Sequence, residues 1–172
     1  MPHIRKADIT DASDLAKLQE RTFRDTFEAS NTPEDLDLHC KAHYGEEIQR
    51  RELSNPGVEV LVCEHDGELV AFVQLRTEKP PACVSAQRPV EIQRFYVAKD
   101  WHGKGLAQDL MTLAIERAEQ RGADQIWLGV WEHNPRAIAF YRKWGFSDVG
   151  DHIFPLGTDP QRDIVMTRQA HR

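Results

Sequence analysis

The sequence has no apolar run long enough to cross a bilayer, so no membrane-spanning helix and no membrane partner are expected. Cysteine is scarce. Cys40, Cys63 and Cys83 are odd in number and show no CxxC spacing, which argues against a disulfide framework. The opening "MPHIRKADIT" lacks the apolar stretch of a secretory signal, and cytoplasm is the expected compartment. Positive charge is also in short supply. With 22 Lys and Arg against 28 Asp and Glu the net charge is -6, which argues against a nucleic-acid partner and is compatible with a cationic small substrate. There is no internal repeat, low-complexity tract or linker. What remains is an ordinary globular composition, 40% hydrophobic and 29% charged, and a length that implies one domain over residues 1–172.

Periodicity sketches the elements. "MPHIRKAD" reads as a short strand. Leu15, Leu18, Thr22, Phe23 and Phe27 recur at helical spacing, with Thr10 or Asp11 as the cap. Thr32, Pro33 and Asp35 open a second helix, and "GEEIQRRELSN" continues the helical region. Two β-rich runs flank Asp66-Gly67, a hairpin turn signal. "VEIQRFYV" is a strand. A helix then runs from about Lys104 to Arg121, with Leu106, Leu110, Leu113, Ala114, Arg117 and Ala118 as its inner stripe and Gly122 as its stop. "QIWLGVW" is a strand, "NPRAIAFYRKW" a short helix, and "FSDVGDHIF" and "DIVMTRQ" close the chain as strands. The unit from Val90 to Trp131 should be a βαβ crossover with parallel strands.

The chemistry concentrates in the turn of that crossover. His102, Gly103, Lys104, Gly105, Leu106 and Ala107 place a run of backbone N–H groups where a helix begins. Those amides lack internal partners and the helix dipole adds positive charge, so the turn suits a phosphate or pyrophosphate. Gly103 and Gly105 clear side chains from its approach. A plain glycine turn without a ligand is the alternative, and the spacing fits neither a P-loop nor a dinucleotide fingerprint. Gly129 inside the next strand marks either a bulge or a close approach, such as a flat amide-bearing ligand along the strand. Asn134 is a helix N-cap with Pro135 after it. Tyr141 shares a helix face with Ala137 and Ile138, and is either a proton donor or a packed aromatic.

Taken together, "HGKGLA" followed by "NPRAIAFYRKWGF" resembles the GNAT family of N-acetyltransferases. His102 stands where that motif usually has Arg or Gln. "RTFRDTFEASNTPEDL", "IWLGVWEHNPRAIAFYRKWGF" and "DIVM" are most similar to the PaiA-type spermine/spermidine N-acetyltransferases. The resemblance implies an α/β (α+β) fold, a mixed and mostly antiparallel sheet of about six or seven strands flanked by helices, with strands 4 and 5 parallel and splayed. It implies acetyl-CoA as cosubstrate. Phe95, Tyr96 and Val97 would bind its pantetheine through their backbone, His102 to Ala107 its pyrophosphate, Asn134 its arm, and Lys143 or Arg142 its phosphates. Tyr141 would protonate the departing thiolate, and Glu91 would be the base that frees the amine. Similar members carry a second acid where this chain has Gln93, which cannot act as a base.

The resemblance also implies an acceptor region. Asp25, Glu28, Glu34, Asp35 and Asp37 stand between residues 25 and 40 with no Lys or Arg among them, an acidic rim that would attract a polyamine. Favourable dipole positions at a helix start explain Glu34 and Asp35 equally well. Asp25, Glu28 and Trp131 are the candidate acceptor contacts. His39 and His43 lie at i,i+4 beside Cys40, but no third ligand is placed and no metal is expected. A small-molecule amine is the expected partner, and a homodimer is left open. Acetylation of a protein N-terminus or lysine, a non-catalytic acyl-CoA-binding module and a different nucleotide binder are the rival readings.

Overall fold

A computed structural model describes residues 1–170. Seven strands form: β1 (His3–Lys6), β2 (Val58–His65), β3 (Glu68–Arg76), β4 (Pro89–Val97), β5 (Gln125–Trp131), β6 (Ser147–Leu156) and β7 (Asp159–Gln169). The helices are α1 (Ala12–Phe27), α2 (Pro33–His43), α3 (Glu46–Ser54), α4 (Leu106–Gln120) and α5 (Pro135–Lys143). One sheet holds all the strands in the order β1-β2-β3-β4-β5-β7-β6. Every neighbouring pair is antiparallel except β4 with β5. This is the expected mixed sheet, with α4 as the crossover between its two parallel strands. Among the described residues no helix is long and apolar enough to cross a membrane.

Local chemistry explains most boundaries. Asp66 and Gly67 both have positive φ, 49° and 80°, the backbone of a tight turn whose twist matches a β2–β3 hairpin. Thr32 caps α2 and Asn134 caps α5 through their side chains, each followed by proline in the first turn. Three expectations shift. Asp11 holds the N-cap position of α1, one of the two residues expected there, but its side chain makes no cap bond to that helix; it accepts instead from the Asp8 amide, while Asp8 accepts from the Thr10 amide in the turn before. α4 begins at Leu106 because Gly103 and Gly105 are both left-handed. Its inner stripe also includes Met111 and Ile115, and Arg117 reaches the buried Glu59 of β2, which also takes Arg121.

The sheet is buried on both faces. α4 and α5 cover one, where Leu106, Leu110, Met111 and Ala114 pack on Val73, Leu75, Val90, Ile92, Ile126 and Leu128. α1 covers the other, with Leu15 and Leu18 against Val60, Val62 and Phe72. Each such leucine or phenylalanine contributes roughly 1.5–3 kcal/mol by leaving water. β4 runs between these layers and sends Val90 and Ile92 to one and Tyr96 to the other.

Candidate active site

The sheet opens in its middle. β4 and β5 pair only through Pro89–Gln125, Val90–Ile126 and Glu91–Trp127. Just beyond, β4 carries a bulge: Leu75 pairs with Ile92 but Gln74 with Arg94, so Gln93 is the extra residue. A polar cluster fixes this kink. The Arg94 guanidinium donates to both carboxylate oxygens of Glu52 on α3 (2.8 and 3.1 Å) and to Gln19 on α1, and Gln74 donates to Gln93 at 2.8 Å. Tyr44, beside α2, stacks its ring against the same guanidinium.

Where the strands part, two chambers meet. One is a cavity of about 230 Å³ between the sheet and the first two helices. Phe23 and Phe27 of α1, His39 of α2, Tyr44, Trp131 and Phe154 supply aromatic walls, and Glu91, Arg94, His152 and Asp163 supply polar ones. The other is an open groove of about 420 Å³ that runs from Thr22 and Asp25 past Phe95, Tyr96 and Val97 to His102 and Ala107. Tyr96, Asn134 and Tyr141 border both chambers. The structure therefore brings Glu91, Phe95 and Tyr96 together with Trp131, Asn134 and Tyr141, two groups well separated in the chain.

Burial sets the protonation states. It pushes the Glu91 carboxyl up to about 7, with Arg76 and His152 pulling the other way and Glu78 adding to the rise. Burial likewise raises the Tyr141 phenol, which stays protonated among Phe95, Phe140 and Phe146. His39 lies face to face with Phe23 at 4.0 Å, and burial drives it down to about 3, so its ring is neutral. His152 moves in the opposite sense because the Asp163 carboxylate faces it at 3.8 Å. Gln93, held by Gln74, contributes no titratable group.

The glycine turn is built as an open set of donors. A short 3-10 turn, Lys99–Trp101, follows β4, and the His102 ring contacts the Val97 carbonyl at 2.8 Å. Lys104 lies over the Trp101 ring at 5.0 Å. Gly103 and Gly105 have φ of 75° and 86°. An added Cβ at either meets no protein atom within 4 Å, so within the protein it is the left-handed backbone that demands glycine there, and the space beside both stays open to a ligand. α4 has no side-chain cap, in contrast to α2 and α5, and its first amides are available. Leu106 buries its side chain in the core and offers only its amide, while Ala107 lines the groove.

Several expected contacts fall elsewhere. Lys143 borders a separate groove with Glu116, Glu119 and Trp144, and Arg142 pairs with Asp148, so neither reaches the two chambers. Glu28 lies in the short helix after α1 and lines neither chamber; Asp25 lines the open groove but not the aromatic cavity. Two of the five acids of the rim, Asp35 and Asp37, are engaged in structure. Asp35 accepts from the amide and hydroxyl of Thr158 at the β6–β7 turn, and Asp37 pairs with Arg24. Gly129 is not at a bulge, since β5 and β7 stay in register through it. The close approach there comes from the protein: an added Cβ would lie 2.7 Å from His152 Nε2 and 3.2 Å from Asp163 Oδ2. His152, Asp163, Tyr44 and Phe154 were not anticipated as site residues, and Gly129 was the one sequence signal pointing to the first two.

Known proteins share this architecture. A solved PaiA N-acetyltransferase from Thermoplasma acidophilum, in complex with coenzyme A, superposes with a TM-score of 0.80 over 98% of this chain and 99% of its own, at 21% identity. An uncharacterised N-acetyltransferase of Lactobacillus delbrueckii subsp. lactis is 30% identical over 158 residues, 92% of this chain and 91% of its own. A "Probable spermine N(1)-acetyltransferase" of Bacillus subtilis subsp. natto is 29% identical over 91 residues, 52% of this chain and 60% of its own. The family model described as acetyltransferase (GNAT) matches residues 14–146. With that match spanning the opened sheet and its glycine turn, the chain belongs to the GNAT family of N-acetyltransferases, whose cosubstrate is acetyl-CoA.

Proposed function

We propose that this protein acetylates a primary amine of a small molecule, with polyamines such as spermidine and spermine as the first acceptor class. One observation carries the reading. The sheet opens between an uncapped glycine turn and a buried carboxyl held at about 7. Acetyl-CoA supplies the activated thioester. The amides of residues 102–107 and the Lys104 charge suit its pyrophosphate, and the backbone of Phe95–Val97 with the Asn134 amide suits its pantetheine. Asn134 Oδ1 is engaged in capping Ala137, which leaves its NH₂ group to donate.

The acceptor amine must lose a proton before it attacks, because an alkyl ammonium has a pKa of about 10. Glu91 near 7 accepts a proton at neutral pH better than an exposed carboxylate does. Tyr141 holds its phenolic proton at the junction of the chambers, where a leaving sulfur would be protonated. A thiolate is a weaker base than a phenolate and burial raises the phenol further, so Tyr141 acts as a hydrogen-bond and proton donor to the sulfur as charge develops on it during C–S cleavage. Phe23, Phe27, Tyr44 and Trp131 line the cavity with aromatic rings, surroundings that suit the alkyl chain of an amine. Attraction for a cation thus comes from Glu91 and Asp163 inside the cavity rather than from the rim. The designation of the Bacillus relative supports a polyamine. Cys40, Cys63 and Cys83 are all free, in keeping with a reducing cytoplasm.

The test is thiol release from acetyl-CoA over a panel of spermidine, spermine, amino acids, aminoglycosides and peptides with free N-termini. Release with polyamines and none with peptides is expected. Coenzyme A binding without release for any amine would leave the chain a binding module and sink the enzymatic reading.

A further inference from the structure

Four strands bring residues to the same cavity beside the splay. β4 offers Glu91, β5 offers only Gly129, β7 offers Asp163 and β6 offers His152. His152 and Asp163 are direct cross-strand partners. Because Gly129 has no side chain, both reach over β5, and His152 Nε2 occupies the space a Cβ would fill. That nitrogen is buried and has no hydrogen-bond partner, with Asp163 Oδ2 at 3.8 Å. An unsatisfied buried imidazole nitrogen costs about 1–3 kcal/mol, which packing alone does not explain. The His152 side chain is nevertheless 33% exposed, so the rest of its ring meets solvent.

We propose that His152, seated over Gly129 and oriented by Asp163, is the proton exit for Glu91. This rests on the acetyl-transfer reading. In that reaction an ammonium loses two N–H bonds, a C–N bond forms and the C–S bond breaks. One proton ends on the sulfur. The other must reach bulk water, and His152, which lines the cavity with Glu91 and is partly exposed, is placed to carry it. Glu91 receives that proton from the amine and His152 passes it outward, returning neutral for the next turnover. The charged groups around the pair are Asp163 on β7, Asp151 on β6, and Arg76, Glu78 and Arg94 near Glu91. The adjacent carboxylates favour the protonated ring, while its charge in turn favours ionised Glu91. His152 is thus a positioning and relay residue rather than the base.

The experiment compares the native chain with His152→Gln, Asp163→Asn and Gly129→Ala. The added methyl of Gly129→Ala meets only the far ends of two side chains, so the fold accommodates it by rotating His152 away. Turnover at pH 7 falls about tenfold in His152→Gln and in Gly129→Ala, less than loss of a direct base would cost. The acid limb of the kcat/KM profile moves to higher pH, and added imidazole restores His152→Gln. In the free protein, the imidazole signal of His152 titrates above the ordinary histidine range and drops in Asp163→Asn. An unchanged limb and unchanged turnover in His152→Gln overturn the relay, as does an even loss at every pH without imidazole rescue. Absence of turnover in the native chain with every amine overturns the acetyl-transfer reading instead, and the relay with it.

Discussion

Glu91→Gln offers the sharpest test because it moves stability and activity in opposite directions. Burial carries the carboxyl from its ordinary 4.5 to about 7. At 1.36 kcal/mol per pH unit this corresponds to roughly 3 kcal/mol of strain on the ionised form. The sign follows from proton uptake. A carboxyl with a raised folded value binds more protons in the native than in the unfolded state between those two pH values. Its favourable contribution is complete below about pH 4.5 and is lost as pH rises through 7. Gln has no such dependence. The variant should therefore gain on the native chain by about 2–3 kcal/mol between pH 5 and pH 8, read by urea unfolding at both pH values. Over the same range, turnover should fall about a hundredfold to ten-thousandfold. A stability difference that is the same at pH 5 and pH 8 would refute the burial argument, and full turnover would refute the assignment of the base.

Other expectations follow from the same geometry. Tyr141→Phe should keep coenzyme A affinity, measured by calorimetry, while turnover drops about a hundredfold; unchanged turnover removes the acid role. Gly105→Ala forces a side chain to φ of 86°, so it should lose about 1 kcal/mol or more of stability and weaken coenzyme A binding, whereas Lys104→Ala should weaken binding without touching the melting temperature. Glu52→Ala leaves the Arg94 guanidinium buried without its carboxylate and should destabilise the fold by about 3–5 kcal/mol in denaturant titration; a loss under 1 kcal/mol would show that Gln19 and Gln74 suffice.

What was legible in the chain was local or periodic. Asp66-Gly67 announces its hairpin through backbone preference, and Thr32 and Asn134 announce their helices through capping. The strand–helix–strand alternation from Val90 to Trp131 implied the parallel pair. The functional motif on either side of that pair placed Asn134 and Tyr141 at the splay. Asp8 was missed because a turn of 3-10 helix separates it from α1. Asp35 stands in the first turn of α2, as its spacing implied, but its partner Thr158 lies 123 residues away and no composition count reveals such a pairing. His152 and Asp163 escaped for the same reason. They become site residues only when β6 and β7 fold back beside β5, and the residue that makes room for them is recorded only as an unexplained glycine.

The parting of β4 from β5 has a consequence for strand pairing. An ordinary open sheet has two edges, here β1 and β6, and either can in principle accept a strand from another chain. This sheet has two more, facing each other across an interior slot. A ligand carrying amides can lie along it and bond to the bared backbone. Because those edges face inward, their pairing capacity is withheld from strands of other chains and reserved for what enters the slot.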